Sequence, residues 1–192
     1  MMTSAVGDDP WADLTTHSGL AADEVISALQ KDIRRGRAEN AVKLAYDMVR
    51  TSPELEDKLW QRLKVISVED VGWGDLIAPT VIDALDRFHL AFERGHGDRN
   101  LFAIHAVRYL CSRVKDRSSD EMTQWVVREA SQGRMVPEIP DYALDMHTRR
   151  GREMGRGRSH FYAEGARVVP ELIDRERTYH EKLMADLNES ET

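Results

Sequence analysis

From Ala21 onward the apolar residues recur at steps of three and four, the period of helices buried along one face. Val25, Ile26, Leu29 and Ile33 share a first stripe, and Gly36 stands where that helix should stop. Val42, Ala45, Met48 and Val49 make a second, closed by the pair Ser52-Pro53. The same pair opens a third helix, with Ser52 as N-cap and Pro53 at the first helical position, carrying Leu55, Leu59, Leu63 and Ile66. The longest stripe runs through Ile77, Val81, Leu85, Phe88 and Phe92 to Gly95. Leu101, Ile104, Val107, Cys111 and Val114 follow, with Asp98 as cap. Ser118 or Ser119 then caps a helix holding Met122, Trp125 and Val126, stopped by Gly133. No strict alternation is long enough to predict a strand. The predicted fold class is all-α, a multi-helix bundle.

The two ends read differently. Residues 1–20 are punctuated by Gly7, Asp8, Asp9, Pro10 and Gly19 and predict a flexible leader, with Trp11 and Leu14 able to tuck back onto the body. Residues 21–133 form the helical core. Residues 134–192 form an arginine- and glycine-rich segment followed by a C-terminal helix packing on that core. There, "MVPEIP" is a proline-stiffened connection. Helix is expected over Tyr142 to Met154, again over Phe161 to Val169, and finally over Glu171 to Leu187. The last stripe is Leu172, Ile173, Tyr179, Leu183 and Leu187.

Composition sets limits on function. The 192 residues carry a net charge of −7, so any nucleic-acid contact must be local rather than a property of the whole surface. The single cysteine, Cys111, excludes an intrachain disulfide and a cysteine-based zinc site, and its apolar helical setting predicts a small buried hydrophobe. No segment approaches the length needed to cross a bilayer, and the N-terminus lacks the order of a signal peptide, so the expected compartment is the cytosol, with no membrane partner. There is no GxxxxGK[ST] phosphate loop, no HExxH and no GxSxG elbow. No catalytic residue and no cofactor are predicted.

Three features carry candidate chemistry. Seven histidines invite a metal site, but their spacings place no two at i, i+3 or i, i+4. A metal-dependent hydrolase built from His147 or His160 with nearby carboxylates stays open as an alternative, although no metal ligand set is assigned. The stretch "RLKVISVEDVGWGDLIAP", Arg62 to Pro79, puts Glu69-Asp70 directly after an apolar helix and before two glycines flanking Trp73. That pattern predicts a tight turn anchored by the indole, a structural corner of Glu69, Asp70, Gly72, Trp73 and Asp75. Its carboxylates either cap the next helix or pair with an arginine; an acid/base role would need a cleft that spacing cannot reveal. The sharpest feature is "HTRRGREMGRGR", five arginines and three glycines between His147 and Arg158. If helix persists through Met154, then Arg149, Arg152 and Arg156 form one stripe of guanidinium groups, with Arg150 and Arg158 beside it. These five suit either structural pairing with acidic residues, within the chain or of another subunit, or phosphate contact with DNA.

Taken in order, three stretches resemble the C-terminal region of the MgsA/RarA-type AAA+ ATPases, the family of Werner-helicase-interacting protein. "DEVISALQKDIRRGRAENAVKLAYDMV", Asp23 to Val49, resembles that family's opening helix pair. "RLKVISVEDVGWGD", Arg62 to Asp75, resembles its RRLxxxASEDIGLAD corner through Arg62, Ser67, Glu69, Asp70, Gly72 and Asp75, and is the most specific of the three. "EMGRGRSHFY" echoes its LGYGKGYKY tail through Gly155 and Gly157, with arginines where the family has tyrosines. The resemblance implies a domain like a clamp-loader collar that joins subunits, generally as tetramers, behind an ATPase working at stalled replication forks. The ATPase module has no counterpart in this sequence, so ATP hydrolysis is not carried over. The expected function is a non-enzymatic oligomerisation or adaptor domain in DNA replication or repair. Its expected partners are copies of itself and an AAA+ ATPase or replication-fork protein. Direct nucleic-acid binding is the alternative.

Overall fold

The computed structural model describes residues 10–190. Among them the chain is an all-α multi-helix bundle with no β-strand, only an isolated bridge between Thr15 and Ala21. It divides after Gly133 into two compact units.

In the first unit α1 (Ala22–Arg34), α2 (Ala38–Thr51) and α3 (Pro53–Ile66) follow one another through short turns. A π-helical turn (Ser67–Val71) and a 3-10 turn (Gly72–Gly74) then lead to α4 (Ala78–His89), α5 (Gly97–Ser112) and α6 (Ser118–Ser131). α1 packs on α2, α2 on α3 and α5, and α4 on α5. Leu29, Ile33, Met48, Leu55, Leu59, Leu63, Ile66, Ile82 and Leu110 fill the space between them and are fully buried. α3 and α5 start for local reasons. Ser52 Oγ accepts the Leu55 N–H at 3.2 Å, a cap worth about 1 kcal/mol, and Pro53 supplies a preset first turn. α5 is capped by His96, whose Nδ1 accepts the Asp98 N–H at 3.2 Å, rather than by Asp98 itself. At its far end the Lys115 ammonium donates to the carbonyls of Leu110 (2.8 Å) and Cys111 (3.2 Å), which a helix otherwise leaves unpaired.

In the leader the tuck open to its two apolar side chains is present. Leu14 and Trp11 pack against the core. Ser18 donates through both its N–H (2.9 Å) and its hydroxyl (2.7 Å) to the nearly buried Asp47 carboxylate, and the His17 N–H reaches Thr51 Oγ1 at 2.9 Å. These polar ties, added to the indole, hold residues 10–20 on the bundle. The earlier part of the expected leader lies outside the described residues.

The second unit contains a 3-10 turn (Asp141–Ala143), α7 (Arg149–Glu153), α8 (Arg158–His160) running into a π-helical turn (Phe161–Gly165), and α9 (Thr178–Ser190). The single helix expected over Tyr142 to Met154 is therefore broken. Asp145 accepts the His147 N–H at 2.9 Å, and Thr148 Oγ1 caps α7 by accepting the Gly151 N–H at 2.9 Å. These side chains compete with helical bonding and restart the helix. The final helix begins at Thr178, not at Glu171. The Glu176 carboxylate accepts the Thr178 N–H at 2.7 Å, while Glu171 is gripped by Arg175 and Arg177 within an irregular segment. Leu187 is buried, but Leu172, Ile173 and Tyr179 are exposed.

Candidate functional site

The corner after α3 is built around a carboxylate with no solvent contact. Asp70 is fully buried. Its carboxylate accepts from Arg117 Nη1 at 2.9 Å, from Gln30 Nε2 at 3.0 Å and from Arg34 Nε. Glu69, beside it, takes Gln30 at 2.9 Å, Arg34 and Arg117 each at 3.2 Å, and Arg62 at 3.9 Å. Three guanidinium groups from α1, α3 and the α5–α6 connection thus converge on two adjacent acids, and Arg117 reaches on to Asp120 at the start of α6. Burying a charge is tolerable only when it is paired and hydrogen-bonded in this way. Engaged on several sides, the Asp70 carboxylate serves to hold elements together.

The backbone of the corner explains its glycines. The Asp116 N–H donates to the Asp70 carbonyl at 3.0 Å, laying the α5–α6 connection across the turn. A Cβ on Gly72 would stand 2.5 Å from the Asp116 carbonyl oxygen, and one on Gly74 would stand 2.4 Å from that of Val114. Gly72 also has φ +49°, in the left-handed region. Asp75 closes the corner, accepting the Ile77 N–H at 3.1 Å and the Tyr109 hydroxyl at 2.7 Å. That hydroxyl bond first of all holds the Asp75 carboxyl below its usual range; burial and the same bond push the Tyr109 phenol up to about 12. Trp73 does not anchor the turn: it is 69% exposed, because the glycines on either side let the connection pack against backbone instead. Cys111 is buried, which pushes its thiol up to about 11.

The arginine segment does not form one stripe. α7 ends at Glu153 and Gly155 takes φ +73°, so Arg149, Arg152 and Arg156 do not share a helix. Arg156 folds back onto its own unit: Nη2 meets both Asp141 carboxylate oxygens at 2.7 Å, and Nη1 donates to the carbonyls of Asp141 and Leu144 at 2.8 Å. Arg152 donates to the Met146 carbonyl at 3.1 Å. Arg149 has an 84% exposed side chain and a loose 3.6 Å contact with Glu153, and Arg150 and Arg158 are also exposed. His147 Nδ1 lies 3.2 Å from Asp145 Oδ2, with Phe161 edge-on to its ring. The hydrogen bonds from His147, its N–H first, lower the Asp145 carboxyl. Among the described residues no three His, Cys, Asp or Glu side chains converge as a metal-holding group, and no helix is long and apolar enough to cross a membrane.

Two features escaped the sequence reading. Glu56, nearly fully buried in α3, pairs with Arg99 (2.7 Å) and Arg94 (3.0 Å), and His89 lies beside it, stacked on Trp60. A buried acid on an otherwise apolar helix gives no periodic signal; only the two arginines near Gly95 hint at it. The second feature is α6, which buries none of its side chains. Met122 and Trp125 are 66% and 61% exposed, and Val126 and Val127 lie beside them. Between α6 and the end of α3 runs a groove of about 460 Å³ lined by Lys64, Val65, Val68, Ser119, Asp120 and Thr123. No protein-family model and no curated protein matches the sequence.

Proposed function

We propose that this protein is a non-enzymatic oligomerisation or adaptor domain acting in the cytosol in DNA replication or repair, of the kind the MgsA/RarA-type resemblance implies. The observation that carries the reading is α6. An amphipathic helix whose Met122, Trp125 and Val126 stay exposed among the described residues has the character of an interface helix. The groove beside it, lined by Val65 and Val68, extends the apolar surface. The arginine-acid network behind the corner supports this role, since it fixes the start of α6 rigidly against α1 and α3. By the resemblance the assembly is a tetramer, and an AAA+ ATPase or replication-fork protein is the further partner.

Light scattering of the purified chain tests the reading. The expected result is a discrete oligomer that Met122→Glu with Trp125→Glu converts to monomers of unchanged helical content. A monomer at all concentrations, with or without an ATPase of that family, would overturn it.

Direct contact with a nucleic-acid backbone is a second reading, favoured by the exposure of Arg149, Arg150 and Arg158. It predicts DNA affinity that falls steeply with salt and weakens when these three become alanine.

A further inference from the structure

In the second unit a cavity of about 800 Å³ opens between the end of the π-helical turn, the irregular segment before α9, and the first turns of α9. That volume lies in the range of small-molecule sites. Its lining is chemically uneven. Three guanidinium groups, Arg167, Arg175 and Arg177, face it together with a single carboxylate, Glu171, and three flat rings, Tyr162, Tyr179 and His180. We propose that this cavity binds a phosphate monoester whose sugar also carries a planar base, the chemistry of a mononucleotide, and that Glu171 restrains its affinity.

The cationic side comes first. Arg175 uses Nη1 on Glu171 Oε1 and Arg177 uses Nη2 on Oε2. One carboxylate therefore holds two guanidinium groups side by side while each keeps further N–H donors beyond that contact. Such a pair suits an oxyanion with several acceptor oxygens, because guanidinium forks match phosphate geometry. Both arginines hold the Glu171 carboxyl below its usual range, the hydrogen bond from Arg175 being the largest cause. Glu171 is thus an anion at neutral pH and competes with any incoming one. Arg167, with a 70% exposed side chain tied at 3.2 Å to Glu164, stands as a third cation at the rim.

α9 adds to the field. Its first turn supplies Tyr179 and His180 to the lining. The opening amides of a helix lack intrahelical acceptors, and the helix dipole favours an anion there. The Glu176 carboxylate already accepts the Thr178 N–H at 2.7 Å, so this end of the helix adds to the field rather than supplying that donor. Tyr162 and Tyr179, with Ala163, Ala166 and Leu183, supply the flat and apolar part of the lining. Lys182 lies over the Tyr179 ring at 5.7 Å, adding a further positive charge nearby. This site lies wholly within one unit and does not depend on the oligomer reading.

Calorimetric titration of the full chain with AMP, adenosine and inorganic phosphate tests the proposal. Saturable AMP binding is expected, with adenosine and inorganic phosphate each much weaker. Arg175→Gln with Arg177→Gln should abolish it. Glu171→Gln, which removes the competing anion, should tighten AMP binding roughly three- to tenfold. This gain of affinity cannot come from a misfolded variant. Absence of saturable AMP binding in both the natural chain and the Glu171→Gln variant overturns the site. So does AMP binding that ignores the arginine substitutions. Inorganic phosphate binding as tightly as AMP overturns the part given to the tyrosine rings.

Discussion

The imidazole of His89 lies flat on the indole of Trp60, with ring centroids 4.4 Å apart and planes 8° from parallel. Both its nitrogens are buried without a hydrogen-bond partner, while Asp86 Oδ1 stands at 3.5 Å and Glu56 Oε1 at 4.0 Å. Burial is the main force lowering the His89 pKa, and the Arg99 charge acts in the same direction, against the opposing pull of Asp86 and Glu56. The imidazole is therefore neutral in the folded protein at neutral pH.

A pH dependence follows with a definite sign. The unfolded chain's His89 titrates near the ordinary value of about 6.5, above the folded value, so between the two the unfolded state binds more protons. Its contribution is complete above the unfolded value and is lost as pH falls through and below it. Urea midpoints measured at pH 7.5 and 5.5 should drop more for the natural chain than for His89→Phe, which keeps a flat ring on Trp60 but cannot titrate. Equal drops would show that His89 is not the titrating group.

The buried Asp70 carboxylate joins Arg34 of α1 to Arg117 before α6. Asp70→Asn keeps the shape but removes the charge, leaving both guanidinium groups facing a neutral amide. Breaking a buried pair costs about 3–5 kcal/mol, and the partial exposure of the two arginines reduces this to roughly 2–4 kcal/mol. Chemical denaturation checks the value. Since Arg117 also pairs with Asp120 at the start of α6, hydrogen exchange in residues 118–122 should quicken as well.

Two glycines separate close approach from chain flexibility. A Cβ at Gly74 would meet the Val114 carbonyl oxygen at 2.4 Å, whereas one at Gly97, the first residue of α5, would meet nothing within 4 Å. Gly74→Ala must push the α5–α6 connection off the corner and should cost about 1–3 kcal/mol. Gly97→Ala should be neutral or stabilise by up to about 1 kcal/mol through a less disordered unfolded chain. Thermal unfolding of both variants measures the contrast.

The positions of α1 to α3 were legible because large apolar residues repeat between unmistakable stops: Gly36, then Ser52 with Pro53. α5 was less so. Its buried face is Ala103, Ala106, Val107, Leu110 and Cys111, while Leu101 and Val114 of the expected stripe are exposed. Alanines carry little hydrophobic signal, so the larger residues drew the face askew. In α4 the ring that is buried is His89, and its neighbour Phe88 is exposed. The corner glycines pointed to a tight turn, yet which backbone pressed on them depended on residues 113–117, far along the chain. In the second unit, Asp145, Thr148, Glu171 and Glu176 bind nearby donors and override a helical composition. Charge pattern alone could not separate Arg156, which is internal, from Arg149, which is free to solvent.

That separation yields a last test. Arg156 joins Asp141 to the carbonyl of Leu144 through four contacts of 2.7–2.8 Å, with a side chain only 16% exposed. Removing it takes the guanidinium donor from the Leu144 carbonyl, leaves the Asp141 carbonyl only the Leu144 N–H at 3.0 Å, and frees the turn before α7. Because Asp141 itself is well exposed, the ion pair adds little, and the expected loss is about 1–2 kcal/mol, from the carbonyl bonds. Limited proteolysis of Arg156→Ala should therefore open the chain within residues 134–160, whereas Arg149→Ala should leave the cleavage pattern unchanged. If the chain contacts a nucleic-acid backbone, as the second reading proposes, the order should reverse for DNA affinity. Alanine at Arg149, Arg150 and Arg158 should weaken binding and flatten its salt slope without loosening the unit, while Arg156→Ala should act on binding only as far as the turn comes apart. If Arg156→Ala were proteolytically silent and still abolished DNA binding, its guanidinium would have to leave Asp141 for phosphate.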